Sequence, residues 1–266
     1  MTDAVDGFDD QFRTNRHLGV SAYLTTDHEI YRRDGAGYYV ERDQSGLSLT
    51  FIGGQPAAPV ETRKRSTQLA LKRVMDVVLA GGALVALSPL LLIVGLLIKL
   101  TSKGGVLFRQ TRPGLNGEPF ELLKFRTMRQ DSCDLSGIKQ TTAGDPRVTS
   151  VGRFLRATSI DELPQLWNIV KGDMSIIGPR PMVYGMLAVG RDYHELVPYY
   201  DYRLLMKPGL SGWAQANGLR GPTDQAASAK ARIDHDCAYI QNFSVALDIK
   251  IIIQTLQREF VSGSGL

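Results

Sequence analysis

The sequence predicts a helix-rich α/β (α+β) protein that one hydrophobic helix attaches to a membrane. Three observations indicate this class. Residues 77–98 form an uncharged apolar run, short apolar segments alternate with helical segments after it, and only 43% of the 266 residues are hydrophobic. Most of the chain therefore faces water, and a single segment provides the anchor.

Residues 1–66 are predicted to be a polar N-terminal extension. In residues 1–43, nine acidic residues stand against five Lys or Arg. Stretches 38–40 and 47–52 alternate weakly between apolar and polar residues, which predicts a β-hairpin. Nothing in this part of the sequence indicates a function.

Residues 67–103 are predicted to be a basic helix that leads into the membrane segment. An unbroken helix over residues 77–98 would be about 33 Å long, enough to cross a hydrocarbon core of about 30 Å. Pro89, which follows Ser88, has no N–H for the carbonyl of Val85, so we expect a kink or break there. Each arm alone would then be too short to cross.

Basic residues flank the apolar run on both sides. They are Lys72, Arg73, Lys99 and Lys103. Because positive charge beside a membrane segment favours the cytoplasmic side, both ends are expected there. A re-entrant helix–break–helix hairpin satisfies these facts, and so does a kinked helix that spans the bilayer. This segment alone leaves both open.

Residues 104–266 are predicted to form a cytosolic domain with a small sheet. Strands are expected near 105–109, 119–128 and 174–178, and helices near 162–171, 184–207, 224–241 and 245–261. The net charge of +4 suits anionic headgroups and phosphorylated ligands. No nucleic-acid-binding motif is present, so we expect no nucleic-acid partner. Cys133 and Cys237 are isolated, which predicts reduced thiols and no zinc site.

The densest polar cluster is the acid pair Asp161 and Glu162. Ser159 lies three residues before Glu162, as in a capping box, and Asp161 would favour the positive end of the following helix. The alternative is that both acids are catalytic. A helix near the acids and a returning strand over 174–178 would bring Arg180 to face both carboxylates. Both interpretations fit this segment by itself.

Basic residues that could bind phosphate surround the acid pair. They are Lys124, Arg126, Arg147, Arg156 and Arg180. Period-two alternation over residues 120–128 puts Lys124 and Arg126 on one largely apolar face, where cations need anionic partners. Paired acids among cations suit phosphoryl transfer, in which one carboxylate attacks phosphorus and the other holds Mg²⁺.

The chain from about residue 72 onward resembles the bacterial sugar transferase family, the monotopic polyprenyl-phosphate phosphoglycosyl transferases. A set of motifs in the right order carries the resemblance. They are Lys72-Arg73-x-x-Asp76, Ser88-Pro89, Gln110-x-Arg112-x-Gly114, Lys124-Phe-Arg-Thr-Met128, Asp145-Pro-Arg-Val148, Gly152-Arg-Phe-Leu-Arg156, Asp161-Glu-Leu-Pro-Gln-Leu166, Lys171-Gly-Asp-Met-Ser175, Gly178-Pro-Arg-Pro181 and Lys207-Pro-Gly-Leu-Ser-Gly-Trp-Ala-Gln215. Each motif alone is weak, but the ordered set is specific.

The resemblance implies an enzyme of the bacterial inner membrane whose catalytic domain faces the cytoplasm. It implies that the helix broken at Ser88-Pro89 re-enters the inner leaflet, and that a hexose-1-phosphate passes from a UDP-sugar to undecaprenyl phosphate with release of UMP. Asp161 matches the nucleophile of a covalent phosphosugar intermediate, and Glu162 matches its Mg²⁺-associated partner. Such a reaction would begin the assembly of exopolysaccharide or capsule repeat units.

Two other functions stay in competition at this point. The first is a spanning glycosyltransferase that moves only the sugar and releases UDP. The second is a non-catalytic membrane partner that uses its basic face to bind lipid headgroups. The sequence leaves open which hexose is transferred, which polysaccharide pathway is served, whether the chain forms a homodimer, and what residues 1–66 do.

Overall fold

The computed structural model describes residues 20–25, 28–33, 38–42, 47–52, 54–59, 62–129, 145–221 and 225–262. These residues form a sheet, then one long helix, then a domain of short helices and small sheets. The strands are β1 (Val20–Thr25), β2 (His28–Arg33), β3 (Tyr38–Arg42), β4 (Ser48–Ile52), β5 (Gln55–Pro56), β6 (Leu107–Pro113), β7 (Pro119–Phe125), β8 (Ser175–Ile177), β9 (Leu187–Ala188), β10 (Arg191–Asp192) and β11 (Gly209–Ser211). The helices are α1 (Arg63–Thr101), α2 (Ser150–Ala157), α3 (Gln165–Lys171), α4 (Tyr193–Leu196), α5 (Trp213–Ala216), α6 (Ala226–Gln241) and α7 (Val245–Ser262).

Most predicted elements of the domain are confirmed. Strands β6, β7 and β8 and helices α3, α6 and α7 lie where the sequence pattern places them. The helix predicted over residues 184–207 is wrong. Gly185, Val189 and Gly190 adopt positive φ there, which a right-handed helix does not accommodate. The segment contains instead the short strands β9 and β10, the one-turn helix α4 and a 3₁₀ turn at Tyr200–Leu205.

Helix α1 contains the apolar run and passes through Pro89 without interruption. Pro89 cannot donate to the carbonyl of Val85, but the hydroxyl of Ser88 donates to that oxygen over 2.8 Å. The serine thus satisfies the acceptor that the proline leaves without a backbone donor, and the helix continues where we expected a kink or break. Within the described part of the chain, α1 is the helix long and apolar enough to cross a membrane.

One face of α1 packs on the domain along its whole apolar length. Ala80 belongs to a core cluster with β7 and α3, and Val94 and Ile98 belong to another with Phe125 and Leu155. The opposite face is exposed: the side chain of Val85, for example, is 76% exposed. An exposed apolar surface of this size is typical of a lipid-facing helix.

A buried ion pair ties the start of α1 to the domain. Lys72 Nζ lies 2.6 Å from Asp248 Oδ2 of α7 and donates to the carbonyl of Ile177 in β8 over 2.9 Å. The hydroxyl of Tyr239 donates to the other oxygen of Asp248 over 2.7 Å. Because these charged groups are buried and fully partnered, they hold α1 in one orientation on the domain.

The predicted hairpin in the N-terminal extension is confirmed as β3 and β4. These strands are antiparallel neighbours in a five-stranded sheet, with Tyr38 opposite Ile52. Leu49 and Phe51 of β4 are 3% and 1% exposed, and they lie in one core cluster with residues of the domain such as Tyr199. Residues 47–52 therefore contribute to the core of the domain.

The end of α6 binds the backbone of this segment. The amide of Gln241 accepts from the N–H of Thr50 over 2.8 Å and donates to the carbonyls of Thr50 and Ala57 over 2.9 and 3.0 Å. Asn242 donates to the carbonyl of Ser48 over 2.6 Å. The two side chains thereby satisfy backbone groups along β4 and just after β5.

Candidate active site

Strand β7 positions Lys124 beside the acid pair. Phe120 and Leu122 are buried, and Lys124 continues on their side of the strand. Its Nζ lies 2.7 Å from Glu162 Oε1. The alternation of the strand therefore predicts the place of Lys124 correctly.

Asp161 and Glu162 lie in a 3₁₀ turn between α2 and α3. Ser159, just before the turn, has a left-handed backbone with φ 55°, and its side chain makes no capping hydrogen bond. The capping-box interpretation is wrong, because α3 begins only at Gln165 and its N-cap residue is Pro164. The Glu162 carboxylate is left to bind groups from other elements.

The loop after β8 brings Arg180 to the same carboxylate. β8 pairs in parallel with β11. At Gly178, just after β8, the two segments of the backbone approach so closely that a Cβ atom would lie 2.3 Å from the carbonyl oxygen of Lys207. Only glycine fits there. Arg180 Nη2 reaches Glu162 Oε1 over 2.8 Å, as the lengths of the predicted helix and strand indicated.

Arg203 supports this loop from the interior. Its Nη2 donates to the carbonyl of Arg180, its Nε and Nη2 lie 3.1 and 2.8 Å from Asp236 Oδ2, and its Nη1 donates to the hydroxyl of Tyr200. The guanidinium is buried and makes four described hydrogen bonds. No local sequence pattern indicated this role, since Asp236 lies 33 residues away in the chain.

The carboxylate of Glu162 is kept ionised. Burial by itself would raise its pKa, but the charges of Arg180 and Lys124 and their hydrogen bonds hold the pKa well below the usual value for a glutamate. Both cations contact the same oxygen, Oε1. Glu162 is therefore a fixed anion at neutral pH.

Asp161 has the opposite environment. It is 7% exposed, and burial raises its pKa, with a further increase from the negative charge of Glu162. The positive charges of Lys124, Arg156 and Arg180 act against that rise. Within the described chain, its carboxylate forms no hydrogen bond or ion pair. Desolvated and unoccupied, Asp161 is the more reactive acid of the two.

Arg156 lies in the last turn of α2, and its Nε donates to Thr127 Oγ1 over 2.9 Å. Its charge lowers the pKa of Asp161, so it lies within electrostatic reach of that carboxylate. The structure thus brings together Lys124, Arg156 and Arg180 around the two acids, as the sequence predicted.

The hydrogen-bond partners of Arg126 lie at the end of α1 and not at the acid pair. It donates to the carbonyls of Ser102 and Lys103, where α1 ends, and to the hydroxyl of Ser102. Strand β7 ends at Phe125, so the alternation that would have put Arg126 beside Lys124 stops one residue too early. These contacts give no support to a role for Arg126 in binding phosphate.

The described contacts of Arg147 are also away from the acid pair. Its Nη2 and Nε lie 2.7 and 3.1 Å from Asp145 Oδ2, and the carboxylate also accepts from its backbone N–H. This local ion pair stabilises the turn at the Asp145-Pro-Arg147 motif.

Arg112 lies beside the site, although the sequence pattern assigned it no role. It donates from Nη1 to the carbonyl of Pro181 over 2.9 Å, and from Nε and Nη2 to Gln110 Oε1. Burial and the neighbouring charge of Arg180 lower its pKa to about 10, although Glu162 acts in the other direction. Its place in the Gln110-x-Arg112-x-Gly114 motif was the available signal.

The donor set of the acid pair fits Mg²⁺. This ion is usually held by one or two carboxylates together with oxygens of a phosphorylated substrate. Asp161 and Glu162 supply two carboxylates, and no group of three or more His, Cys, Asp or Glu side chains suited to a metal occurs in the described ranges. Glu162 Oε1 accepts from both cations, which leaves Oε2 available to an ion. The pair therefore suits an ion shared with a substrate.

Comparison with known proteins gives consistent matches. The model of the bacterial sugar transferase family matches residues 67–262. Exopolysaccharide production protein PSS of Rhizobium leguminosarum bv. phaseoli is 51% identical over 197 residues, which are 74% of this chain and 98% of that protein. A UDP-glucose:undecaprenyl-phosphate glucose-1-phosphate transferase of Caulobacter vibrioides is 49% identical over 214 residues, 79% of this chain and 74% of the relative.

A third relative is longer. The UDP-glucose:undecaprenyl-phosphate glucose-1-phosphate transferase of Escherichia coli (strain K12) is 44% identical over 218 residues, 82% of this chain but only 46% of the relative. The chain thus spans nearly the whole of one relative and less than half of another. The family match contains all but the first four residues of α1, together with the acid pair and the three cations around it. The chain belongs to the bacterial sugar transferase family, a family of membrane-associated enzymes.

Proposed function

We propose that this enzyme transfers a hexose-1-phosphate from a UDP-sugar to undecaprenyl phosphate and releases UMP. The observation that carries the proposal is the asymmetry of the acid pair. Glu162 is held by two cations, whereas Asp161 is desolvated, forms no described contact and lies within reach of three positive charges. A carboxylate so placed suits nucleophilic attack on phosphorus.

In the first step, an oxygen of Asp161 forms a bond to the phosphorus that carries the sugar. The bond from that phosphorus to the bridging oxygen breaks, and UMP leaves with the electron pair. Lys124, Arg156 and Arg180 stabilise the negative charge on the oxygens of the transferring group. In the second step, an oxygen of undecaprenyl phosphate attacks the same phosphorus, and the carboxylate of Asp161 is restored.

Glu162 would hold Mg²⁺ through its second oxygen, and the bound ion would neutralise charge on the diphosphate of the donor. Glucose is the first donor sugar to test, because the Caulobacter and Escherichia relatives are named for UDP-glucose. Transfer to undecaprenyl phosphate would begin a polysaccharide repeat unit, in keeping with the name of the Rhizobium relative.

We propose that α1 enters the inner leaflet of the cytoplasmic membrane and that the catalytic domain stays on the cytoplasmic side. Basic residues at both ends of the apolar run support this orientation. One face of α1 packs on the domain and the other is exposed. In this proposal the acid pair lies near the level of the headgroups. Both a soluble nucleotide sugar and a lipid phosphate can reach such a site.

The test is to trap the intermediate. Protein incubated with UDP-glucose labelled in the sugar should become radioactive, and UMP rather than UDP should be released. Asp161→Asn should abolish labelling, since an amide is a poor nucleophile. Glu121→Gln is the matched control, because Glu121 is an exposed carboxylate that pairs with Arg109 on the surface.

Labelling that persists in Asp161→Asn would overturn the assignment of the nucleophile. Release of UDP would favour the alternative, a glycosyltransferase that moves only the sugar. Absence of turnover with every UDP-sugar, together with binding to anionic vesicles, would favour a non-catalytic membrane partner.

A further inference from the structure

Arg112 has more N–H donors than its described protein contacts use. A guanidinium carries five N–H groups. Within the described residues, Gln110 takes one from Nε and one from Nη2, and the carbonyl of Pro181 takes one from Nη1. One N–H group remains on each terminal nitrogen. Such a pair fits the two oxygens of a phosphate in a bidentate contact.

The partners of Arg112 are also neutral, which is unusual for a largely buried cation. Both acceptors are amide or peptide oxygens, and the nearest guanidinium, that of Arg180, repels it. Glu162 attracts it, but Lys124 and Arg180 already occupy Glu162 Oε1. Arg112 is therefore held in a place where an additional anion would relieve repulsion between two cations.

The position of Arg112 relative to the nucleophile indicates which phosphate it meets. In the described contacts, Arg112 connects to the acid pair through the loop after β8, because it donates to the carbonyl of Pro181 and the neighbouring Arg180 contacts Glu162. Arg180 therefore stands between Arg112 and the acid pair in this chain of contacts, and no described hydrogen bond or ion pair joins Arg112 to Asp161. In an in-line displacement, the leaving group departs on the side opposite the nucleophile.

We propose that Arg112 binds the phosphate that leaves with the nucleotide, so that it forms a UMP phosphate subsite next to the acid pair. This inference rests on the proposed function, because it assumes that the donor is a nucleoside diphosphate sugar attacked by Asp161. The site then has four cations, Lys124, Arg156, Arg180 and Arg112, for two carboxylates. The excess of positive charge matches a diphosphate.

The experiment measures binding of UMP and of uridine to the full chain in detergent or nanodiscs by calorimetry. Arg112→Lys keeps the charge and can still donate to Pro181, but it loses the bidentate fork. We expect it to weaken UMP binding about 10- to 100-fold, the loss typical of hydrogen bonds to a charged group. Uridine, which lacks the phosphate, should bind as it does to the wild type. Arg109→Lys, on the exposed side of the same strand β6, is the control.

Unchanged UMP affinity in Arg112→Lys would overturn the subsite, and so would equal losses for UMP and uridine. In turnover, the KM for UDP-glucose should rise while the KM for undecaprenyl phosphate stays constant; a rise confined to the lipid substrate would also overturn it. If Arg112→Ala fails to fold, the Lys variant decides. Failure of the wild type to become labelled, with UMP binding still dependent on Arg112, would refute the proposed function and leave the subsite in place.

Discussion

Asp161 and Glu162 are neighbours in the chain, yet their carboxylates meet different conditions. Glu162 contacts two cations and stays ionised, whereas burial and the charge of Glu162 raise the pKa of Asp161. Two like charges so close together titrate as a coupled pair, which separates their pKa values and their roles. The acid with the raised pKa must lose its proton before it can attack phosphorus.

The pH dependence of labelling should report this coupling. The rate should fall as the pH drops through the pKa of Asp161. Glu162→Gln removes a negative neighbour, so it should lower that pKa and move the acid limb to lower pH. Lys124→Gln removes a positive neighbour, so it should raise the pKa and move the limb to higher pH. Single-turnover labelling rates across a pH series give the position of the limb whatever the amplitude.

Lys171→Gln is the control for this series, because Lys171 is an exposed residue at the far end of α3 that pairs with Asp173. Its acid limb should match the wild type. If the acid limb of the labelling rate stays at the wild-type pH in both Glu162→Gln and Lys124→Gln, Asp161 is not the group whose ionisation limits the reaction.

Among the elements, β4 contributes to the core of the domain, although it lies in a segment that was predicted to be a polar extension. Phe51 lies in a core cluster with Tyr199, and their ring centroids are 5.3 Å apart. The same cluster contains Met182, which follows Arg180 and Pro181 in the site loop. The strand therefore supports the layer of the domain that carries the loop.

Truncation of Phe51 should destabilise the whole domain. Phe51→Ala would leave a cavity beneath Tyr199 and should lower the free energy of unfolding by about 3–5 kcal/mol. Ile52→Ala is the matched control, because Ile52 is the next residue on the same strand but is 55% exposed, so its loss should be small. Chemical denaturation of both variants measures the difference. Equal effects would mean that β4 does not pack as described.

Parts of the fold and site followed from the sequence because local rules decide them. Alternation along β7 placed Lys124, and the lengths of a helix and a returning strand placed Arg180 opposite Glu162. The predicted place of Arg126 was wrong, because the alternation of side chains holds only to the last residue of a strand. Arg203 and Phe51 could not be anticipated, since their partners lie far away in the chain and no local pattern records a long-range contact.

At the scale of the whole molecule, α1 joins the domain to the bilayer through one face. Its 39 residues would be about 58 Å long as a straight helix, more than a hydrocarbon core requires. The buried pair of Lys72 and Asp248 fixes one end on the domain. Although α1 continues through the Ser88-Pro89 step, that step lacks one backbone hydrogen bond near the middle of the apolar run, so it is the place where a return to the starting side would bend.

Replacement of the proline tests this topology. In the wild type, tags at residue 60 and at the C-terminus should both be accessible only from the cytoplasm. Pro89→Ala restores an N–H for the carbonyl of Val85, so it should make a bend at this step less favourable and expose part of the C-terminal tags outside. Activity should then fall more than the amount of protein. Ser88→Ala, which keeps the proline, should retain the wild-type tag pattern.

A C-terminal tag that is external in the wild type would mean that α1 spans the membrane. Tags that remain cytoplasmic in Pro89→Ala would show that packing against the domain, and not the proline, sets the topology.

The clasp formed by Gln241 and Asn242 has a consequence for how such proteins can diversify. Both side chains hold main-chain groups of residues 48–57, so they do not discriminate among the amino acids at those positions. Among the described residues of this segment, the side chains of Leu49, Phe51 and Pro56 are buried and must fit a fixed shape. A different peptide that offers fitting side chains at these three positions should dock equally well, which makes this edge a graft point for exchanging N-terminal segments between enzymes without rebuilding the catalytic half.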